Sequence, residues 1–403
     1  MKRLSYLMTS GKSRNAIIGT ACVALLSCVI INGCGLTESE SDDATEGNAS
    51  NTSNVEASLQ ESQTYDGSEV TTIGISMPAK QLERWHTDAT LLQNLFEEAG
   101  YNVLISYGDN LIDTQIKEIN QMIDDGADLL IIAPVDSDSL SSCIKKANEN
   151  NVPIVAYDRL INHDPTLLAY VSYDNYLIGQ LQAQFIVDNL DIDNSISDIS
   201  YNIELFSGDA ADNNAMYLYN GSMSVLDPYI KSGKIKVVSN QKDFYSCSTN
   251  SWSTEIAEEK MQIILASYYN DTTKLDAVLC PNDSIAIGIC DSITSSYHQD
   301  NNVIVTGQDC DSANIPYIQD GRQNMSIYKS LDNEALATFH IIQNYLNGAS
   351  TGDDLSAGLD SNITITRDTT SYVSDNTIIT AYLLSPEIIT SENIDEWSSS
   401  NND

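Results

Sequence analysis

From residue 71 onward, short apolar runs alternate with stretches of helical spacing. Residues 73–76 form an apolar run. Residues 88–100 then place Leu91, Leu92, Leu95, Phe96 and Ala99 on one helical face before Gly100 ends it. The pattern repeats as strand 103–106, helix 112–125 with Ile116, Ile119, Met122 and Ile123 turned inward, strand 129–133, helix 139–150 and strand 154–157. After a helix at 178–190 the rhythm restarts. It predicts strands at 204–207, 235–238, 277–280 and 303–306, and helices at 213–231, 253–268, 283–296 and 312–320. A helix at 330–347 and short strands within 363–382 complete the body. Strands that are apolar throughout and separated by helices predict parallel sheets covered on both faces. The expected fold class is α/β, with two doubly wound, Rossmann-like lobes.

Polar residues cluster just after the predicted strands: Asp136, Tyr157-Asp158-Arg159, Asp174-Asn175, Asp212-Asn213-Asn214, Asn282-Asp283 and Gln308-Asp309. In open α/β sheets ligands gather outside the carboxyl ends of the strands. Asp and Asn also cap helices at the same places, so each residue taken singly fits either role. At Asn282-Asp283 the roles are expected to split, with Asn282 in a cleft and Asp283 as the cap.

The start of the chain differs in kind. Lys2, Arg3, Lys12 and Arg14 precede an uncharged, mostly apolar run over residues 16–31, followed by Ile31-Asn32-Gly33-Cys34. A basic start, a short apolar middle and small residues at the end describe a secretory signal, and the run is short of the ~20 residues of a spanning helix. The string around Cys34 resembles a bacterial lipobox, which implies lipidation of Cys34; Leu25-Leu26-Ser27-Cys28 competes with it, and a plain membrane anchor is the alternative. Residues 36–70 hold nine acids and no Lys or Arg, a composition that cannot form a core. We therefore expect a signal peptide over 1–34 and a disordered acidic tether over 35–70.

Over all 403 residues, 19 Lys and Arg face 57 Asp and Glu, a net charge of −38. So acidic a chain repels phosphate backbones, which excludes nucleic acid as a partner. The repressors that share doubly wound lobes need a basic N-terminal DNA-binding unit, and this chain has a signal and an acidic tether there. Cys143, Cys247, Cys280, Cys290 and Cys310 are an odd number without a paired spacing, so neither a disulfide framework nor a zinc site is expected. The loop from Asp191 to Ser197 alternates oxygen ligands but lacks the sixth-position Gly and the closing acid of a calcium loop. No hydrolase elbow, Cys/His dyad, P-loop or metal cluster is present, so no enzyme activity, cofactor or metal is implied. Asp158 and Asp309 could in principle act as an acid and base pair. Neighbouring Arg159 and Lys329 would lower rather than raise a carboxyl pKa.

Several strings occur in one order: Lys80-Gln81-Leu82-Glu83-Arg84-Trp85, Tyr157-Asp158-Arg159-Leu160-Ile161, Asp174-Asn175, Asp212-Asn213-Asn214-Ala215, Pro281-Asn282-Asp283, Gly307-Gln308-Asp309 and Tyr328-Lys329. Together, over about residues 73–393, they resemble the bacterial xylose-binding and multiple-sugar-binding proteins, the substrate-binding components of ABC sugar transporters. The resemblance implies a periplasmic-binding-protein type I fold whose lobes are joined by a three-stranded hinge. Residues 71–175 with 329–362 would form one lobe, and 176–328 with 363–403 the other. It implies a monosaccharide ligand held by Arg84, Asp158, Arg159, Asp212, Asn214, Asn282, Asp309 and Lys329. Trp85 and Trp252 would be the aromatic walls, Trp252 by its spacing to Met261. Three acids against three bases in that set suit a neutral ligand, and Asp, Arg, Lys and Asn together can satisfy every sugar hydroxyl. The implied partners are a permease and ATPase, with the membrane reached only through the lipid anchor. The implied state is an extracytoplasmic, lipid-anchored monomer. A sugar sensor feeding a chemoreceptor or kinase would have the same cleft.

Overall fold

The computed structural model describes residues 70–80, 82–195, 199–269 and 272–401. The predicted signal segment, Cys34 and all but the last residue of the predicted tether lie outside the described residues. The first elements are β1 (Thr72–Met77), α1 (Glu83–Glu98), β2 (Asn102–Tyr107), α2 (Ile112–Asp124), β3 (Leu129–Ile132), α3 (Ser141–Glu149), β4 (Ile154–Tyr157) and β5 (Ala169–Tyr173). Next come α4 (Asn175–Asn189), β6 (Tyr201–Leu205), α5 (Asn213–Ser232), β7 (Ile235–Lys236), α6 (Phe244–Cys247), α7 (Thr254–Tyr268), β8 (Ala277–Leu279), α8 (Asp283–Ser296), β9 (Ile304–Val305) and α9 (Ile315–Gln319). The chain ends with β10 (Met325–Tyr328), α10 (Leu331–Leu346), β11 (Ile365–Asp368), β12 (Val373–Ser374), β13 (Thr377–Ile378), β14 (Ala381–Leu384), β15 (Glu387–Thr390) and α11 (Ile394–Asn401).

The strands build two doubly wound sheets. One runs β11-β14-β5-β4-β3-β1-β2 and is parallel except where β11 meets β14. The other runs β7-β6-β8-β9 and is parallel throughout. The ribbon β10-β15 joins the second through a bridge between Gln308 and Ile327. Successive side chains of the central strands alternate between two buried clusters. Ile131, Val155 and Val171 share one with Leu92 and Phe96 of α1 and Ile341 of α10. Leu130, Ile132, Ile154 and Ala156 share the other with Ile119 of α2 and Ile144 of α3. Burial on both faces is why these strands read as unbroken apolar runs. All five body cysteines are buried free thiols.

Three crossings connect the sheets, after β5, after β10 and after β14, as a three-stranded hinge requires. They are tied together: Tyr173 Oη donates to the Ser330 carbonyl at 3.0 Å, and the Asp174 N–H to the Leu384 carbonyl at 3.4 Å. The position of the third crossing differs from the expectation that 363–403 would join the second lobe. Strand β14 lies parallel to β5 in the large sheet and β11 pairs onto it, so only the chain after Leu384 leaves that sheet. Strands β5, β10 and β15 and helices α6 and α11 are additions to the predicted elements, and α1 begins at Glu83 rather than 88.

Helices α4 and α5 cross at two glycines. A Cβ at Gly179 would strike the Leu218 carbonyl, and one at Gly221 the Tyr176 carbonyl. Backbone cannot yield as a side chain can, so Gly221→Ala should cost at least the ~1–3 kcal/mol of overpacking. Urea denaturation would show it as a lower midpoint at unchanged slope.

Candidate functional site

In each sheet the strand order reverses beside the first strand, β1 and β6, which opens a crevice at the carboxyl ends. Trp85 and Arg84 follow β1, Asp158 and Arg159 follow β4, and Asp212 and Asn214 follow β6. Asn282 follows β8, Asp309 follows β9 and Lys329 follows β10. These turns, with Trp252 before α7, converge on one cavity of about 210 Å³ whose lining includes all ten predicted residues. Leu82, Ser284, Ile287, Gln308, Asp311, Ser312 and Ala313 complete the wall.

The side chains form one charged web across the cleft. Arg84 Nη2 donates to Asp158 Oδ2 at 2.9 Å, and Arg84 also lies 3.7 Å from Asp309. Lys329 Nζ sits 3.1 Å from Asp309 and 3.5 Å from Asp158. Arg159 Nε pairs with Asp212 at 2.8 Å, and Asn214 Nδ2 donates to the Asp158 carbonyl at 3.0 Å. At the rim, Asn213 donates to Asn162 at 2.8 Å and the Ser137 N–H to the Ala211 carbonyl at 3.1 Å. The cleft is therefore closed, with groups of both sheets in contact. Both guanidinium groups lie over the indole of Trp85, at 4.4 Å for Arg84 and 5.1 Å for Arg159.

These contacts set the charges. Burial works to raise the Asp158 carboxyl, but Arg84, Lys329 and Arg159 outweigh it and hold it at about 2. Burial would strip Lys329 of its proton, yet Asp158 and Asp309 raise it above its ordinary value. Burial raises Asp212, opposed by Arg159.

Two acids absent from the predicted set belong to the web. Asp88 and Glu334 are both fully buried and touch Arg84, at 3.4 and 3.7 Å. With Asp311 on the cavity wall, the expected balance of three acids and three bases becomes six against three. Asp88 follows Arg84 by one helical turn, which was the available signal. Gln308 is a further addition: it lines the cavity, and its buried Oε1 has no hydrogen-bond partner among the described residues.

Three of the predicted residues hold left-handed backbone: Asp158 at φ +56°, Trp252 at +54° and Asp309 at +100°. Such conformations cost of order 1–3 kcal/mol and persist where the surroundings over-determine them. The Asp158 turn is held by Tyr170, Ser172 and Asn214, all donating to its carbonyl.

Capping and lining coincide rather than exclude one another. Asp212 accepts from the Asn214 N–H as the cap of α5 while pairing with Arg159. Asn282 caps α8 by accepting from the Ile285 N–H and also lines the cavity. The expected split of Asn282 and Asp283 is corrected accordingly. Asp283 is the first helical residue, buried beneath the site, where it accepts from Gln323, Ser326 and the Asp311 N–H. Asp174 caps α4 through the Leu177 N–H.

Residues 73–350 match the periplasmic binding protein domain. The chain belongs to the periplasmic binding protein family. Among its relatives, the multiple sugar-binding periplasmic receptor of Rhizobium radiobacter is 34% identical over 81% of this chain and 88% of its own. The D-xylose-binding periplasmic protein of Escherichia coli K12 is 35% identical over 64% and 73%. An ABC transporter solute-binding protein from Clostridium phytofermentans, solved with bound β-D-glucose, superposes with a TM-score of 0.76 at 37% identity. That match covers 82% of this periplasmic binding protein and 98% of the solved chain.

Proposed function

We propose that this periplasmic binding protein is an extracytoplasmic receptor for a neutral monosaccharide, xylose or a related aldose, and delivers it to an ABC transporter permease. The observation that carries the reading is the cavity itself. Donors without acceptor capacity (Arg84, Arg159, Lys329), acceptors without donor capacity (Asp158, Asp212, Asp309) and amides that do both surround a space that two indoles also line. Hydroxyls need that mixture and sugar C–H faces need the rings. The excess of buried acid disfavours uronates and sugar phosphates. The relatives' sugars and the glucose-bound structure support the same class.

Contacts from both sheets make the ligand a clamp, favouring the closed state by its differential affinity. Asp158 is held ionised by its cations and Asp212 is paired with Arg159, which supports binding without catalysis. The protein acts as a monomer tethered by a lipid on Cys34, with the permease and its ATPase as partners.

Two of the three tryptophans, Trp85 and Trp252, line the cavity. Titration of the purified protein with aldopentoses and aldohexoses should therefore give a saturable change in tryptophan emission. Calorimetry showing no heat with any member of the panel would reject the sugar reading.

A further inference from the structure

Asp88 and Glu334 contact Arg84, yet neither is on the cavity wall. Among the described residues, Asp88, Asp158, Asp309 and Glu334 form ion pairs with two cations, Arg84 and Lys329, and so leave two negative charges without a counterpart. Arg159 adds to the field that holds Asp158 ionised but pairs with Asp212, and so offsets neither Asp88 nor Glu334. An uncompensated buried charge costs several kcal/mol, far more than one of these groups would lose by keeping its proton.

The geometry identifies which group keeps it. Asp88 accepts from Tyr157 Oη at 2.6 Å and from Arg84 Nε at 3.4 Å. Asp158 and Asp309 each hold a cation more closely than Glu334 does. Glu334 has no hydrogen bond to either carboxyl oxygen among the described residues, and its nearest cation is the shared Arg84 Nη2 at 3.7 Å. Helix α10 carries it in its first turn, where the dipole favours an anion only weakly. The groups around it are Arg84 and Asp88 from α1, Tyr157 and Asp158 from β4 and its turn, Tyr173 from β5 and Lys329 before α10. Burial, reinforced by Asp158 and opposed by Arg84, pushes the Glu334 carboxyl well above the usual range. Burial brings Asp88 to about 6 against the pull of Arg84.

The same Arg84 nitrogen serves Asp158 at 2.9 Å and Glu334 at 3.7 Å. An ionised Glu334 competes for it and draws the guanidinium off the cavity wall; a neutral one leaves it with Asp158. We propose that Glu334 is a positioning residue that keeps Arg84 on the cavity wall as a neutral acid, and that the protein takes up a proton as it closes on sugar. This rests on the sugar reading above. Closure brings Asp309 of the second sheet to 3.7 Å from Arg84 and 3.1 Å from Lys329, the cations that offset Glu334, so an ionised Glu334 costs more in the closed form and ligand and proton favour one another. Affinity is level at low pH and declines as pH rises through the titration of Glu334.

The test is calorimetry of the full chain with D-glucose and D-xylose, in two buffers of different ionisation heat, between about pH 6 and 9. In the wild type the heats should differ between buffers by an amount that reports proton uptake, and affinity should fall about tenfold across the range, as a one-unit shift requires. Glu334→Gln, which supplies the neutral shape permanently, should match wild-type affinity at the acid end, stay flat above it and show no uptake. A purely structural Glu334 would not move the proton count. Equal wild-type heats in both buffers would overturn the inference even if the variant failed to fold, and so would uptake that persists in Glu334→Gln. Absence of binding by the wild type at every pH would bring down the sugar reading and this inference with it.

Discussion

Replacing Asp158 by Asn should reduce sugar affinity by about two orders of magnitude or more, because two charge-assisted contacts of ~1.5–3 kcal/mol each depend on its charge. Its Oδ2 accepts from Arg84 at 2.9 Å and lies 3.5 Å from Lys329, while Oδ1 lies 3.2 Å from the Asn214 amide. All three of these contacts are donors, so an amide nitrogen at this position opposes one of them whichever way it turns. The backbone is not the cause: Asn tolerates the +56° φ as readily as Asp. Removing one member of a buried pair also costs stability, ~3–5 kcal/mol in comparable cases. That loss has a pH signature. The carboxyl is held at about 2 against an ordinary 3.8, so the unfolded chain binds its proton first as pH falls. The stability Asp158 contributes is complete above about pH 4 and is lost as pH falls toward 2. Urea denaturation of wild type and Asp158→Asn should therefore show a gap at neutral pH that closes in acid. A gap independent of pH would mean that the charge of Asp158 is not what stabilises the fold.

The sheets and the cavity wall were legible for one shared reason. Strands buried on both faces have little choice but unbroken apolar sequence, and a parallel sheet exposes its carboxyl ends to whatever follows each strand. Polar residues at those places therefore converge without further information. What stayed hidden depends on tertiary packing. Glu334 lies inside a helix, where an acid normally reads as solvated surface; only the packing of α10 on α1 and β5 encloses it. Strand β5 follows β4 without an intervening helix, so a strict alternation of strand and helix passes over it. Strand β11 carries Thr366, Arg367 and Asp368 at a sheet edge, and no local pattern states which of two sheets such an edge strand joins.

Gly208→Ala should abolish most sugar binding while leaving the protein folded, with a loss of at least about a hundredfold and a stability cost of ~1–3 kcal/mol. A Cβ at Gly208 would run into the six-membered ring of Trp252. The indole cannot retreat with its backbone. Thr249 N–H donates to the Gly208 carbonyl at 3.1 Å, Trp252 N–H to the Thr249 carbonyl at 3.2 Å, and Ser251 N–H to Asp209 at 2.6 Å. Ser251 and Trp252 both already hold left-handed backbone, so little conformational slack remains. Nor is the ring held by its own nitrogen, since the buried Nε1 has no hydrogen-bond partner among the described residues. The ring must tilt, and the open direction is the cavity it lines, where it would occupy the place of the sugar's C–H face. A double-mutant cycle separates this account from general damage. If the methyl acts through the indole, Gly208→Ala should cost no further affinity once Trp252→Ala is present. Losses that simply add would show that Gly208 matters for a reason other than the position of the Trp252 ring.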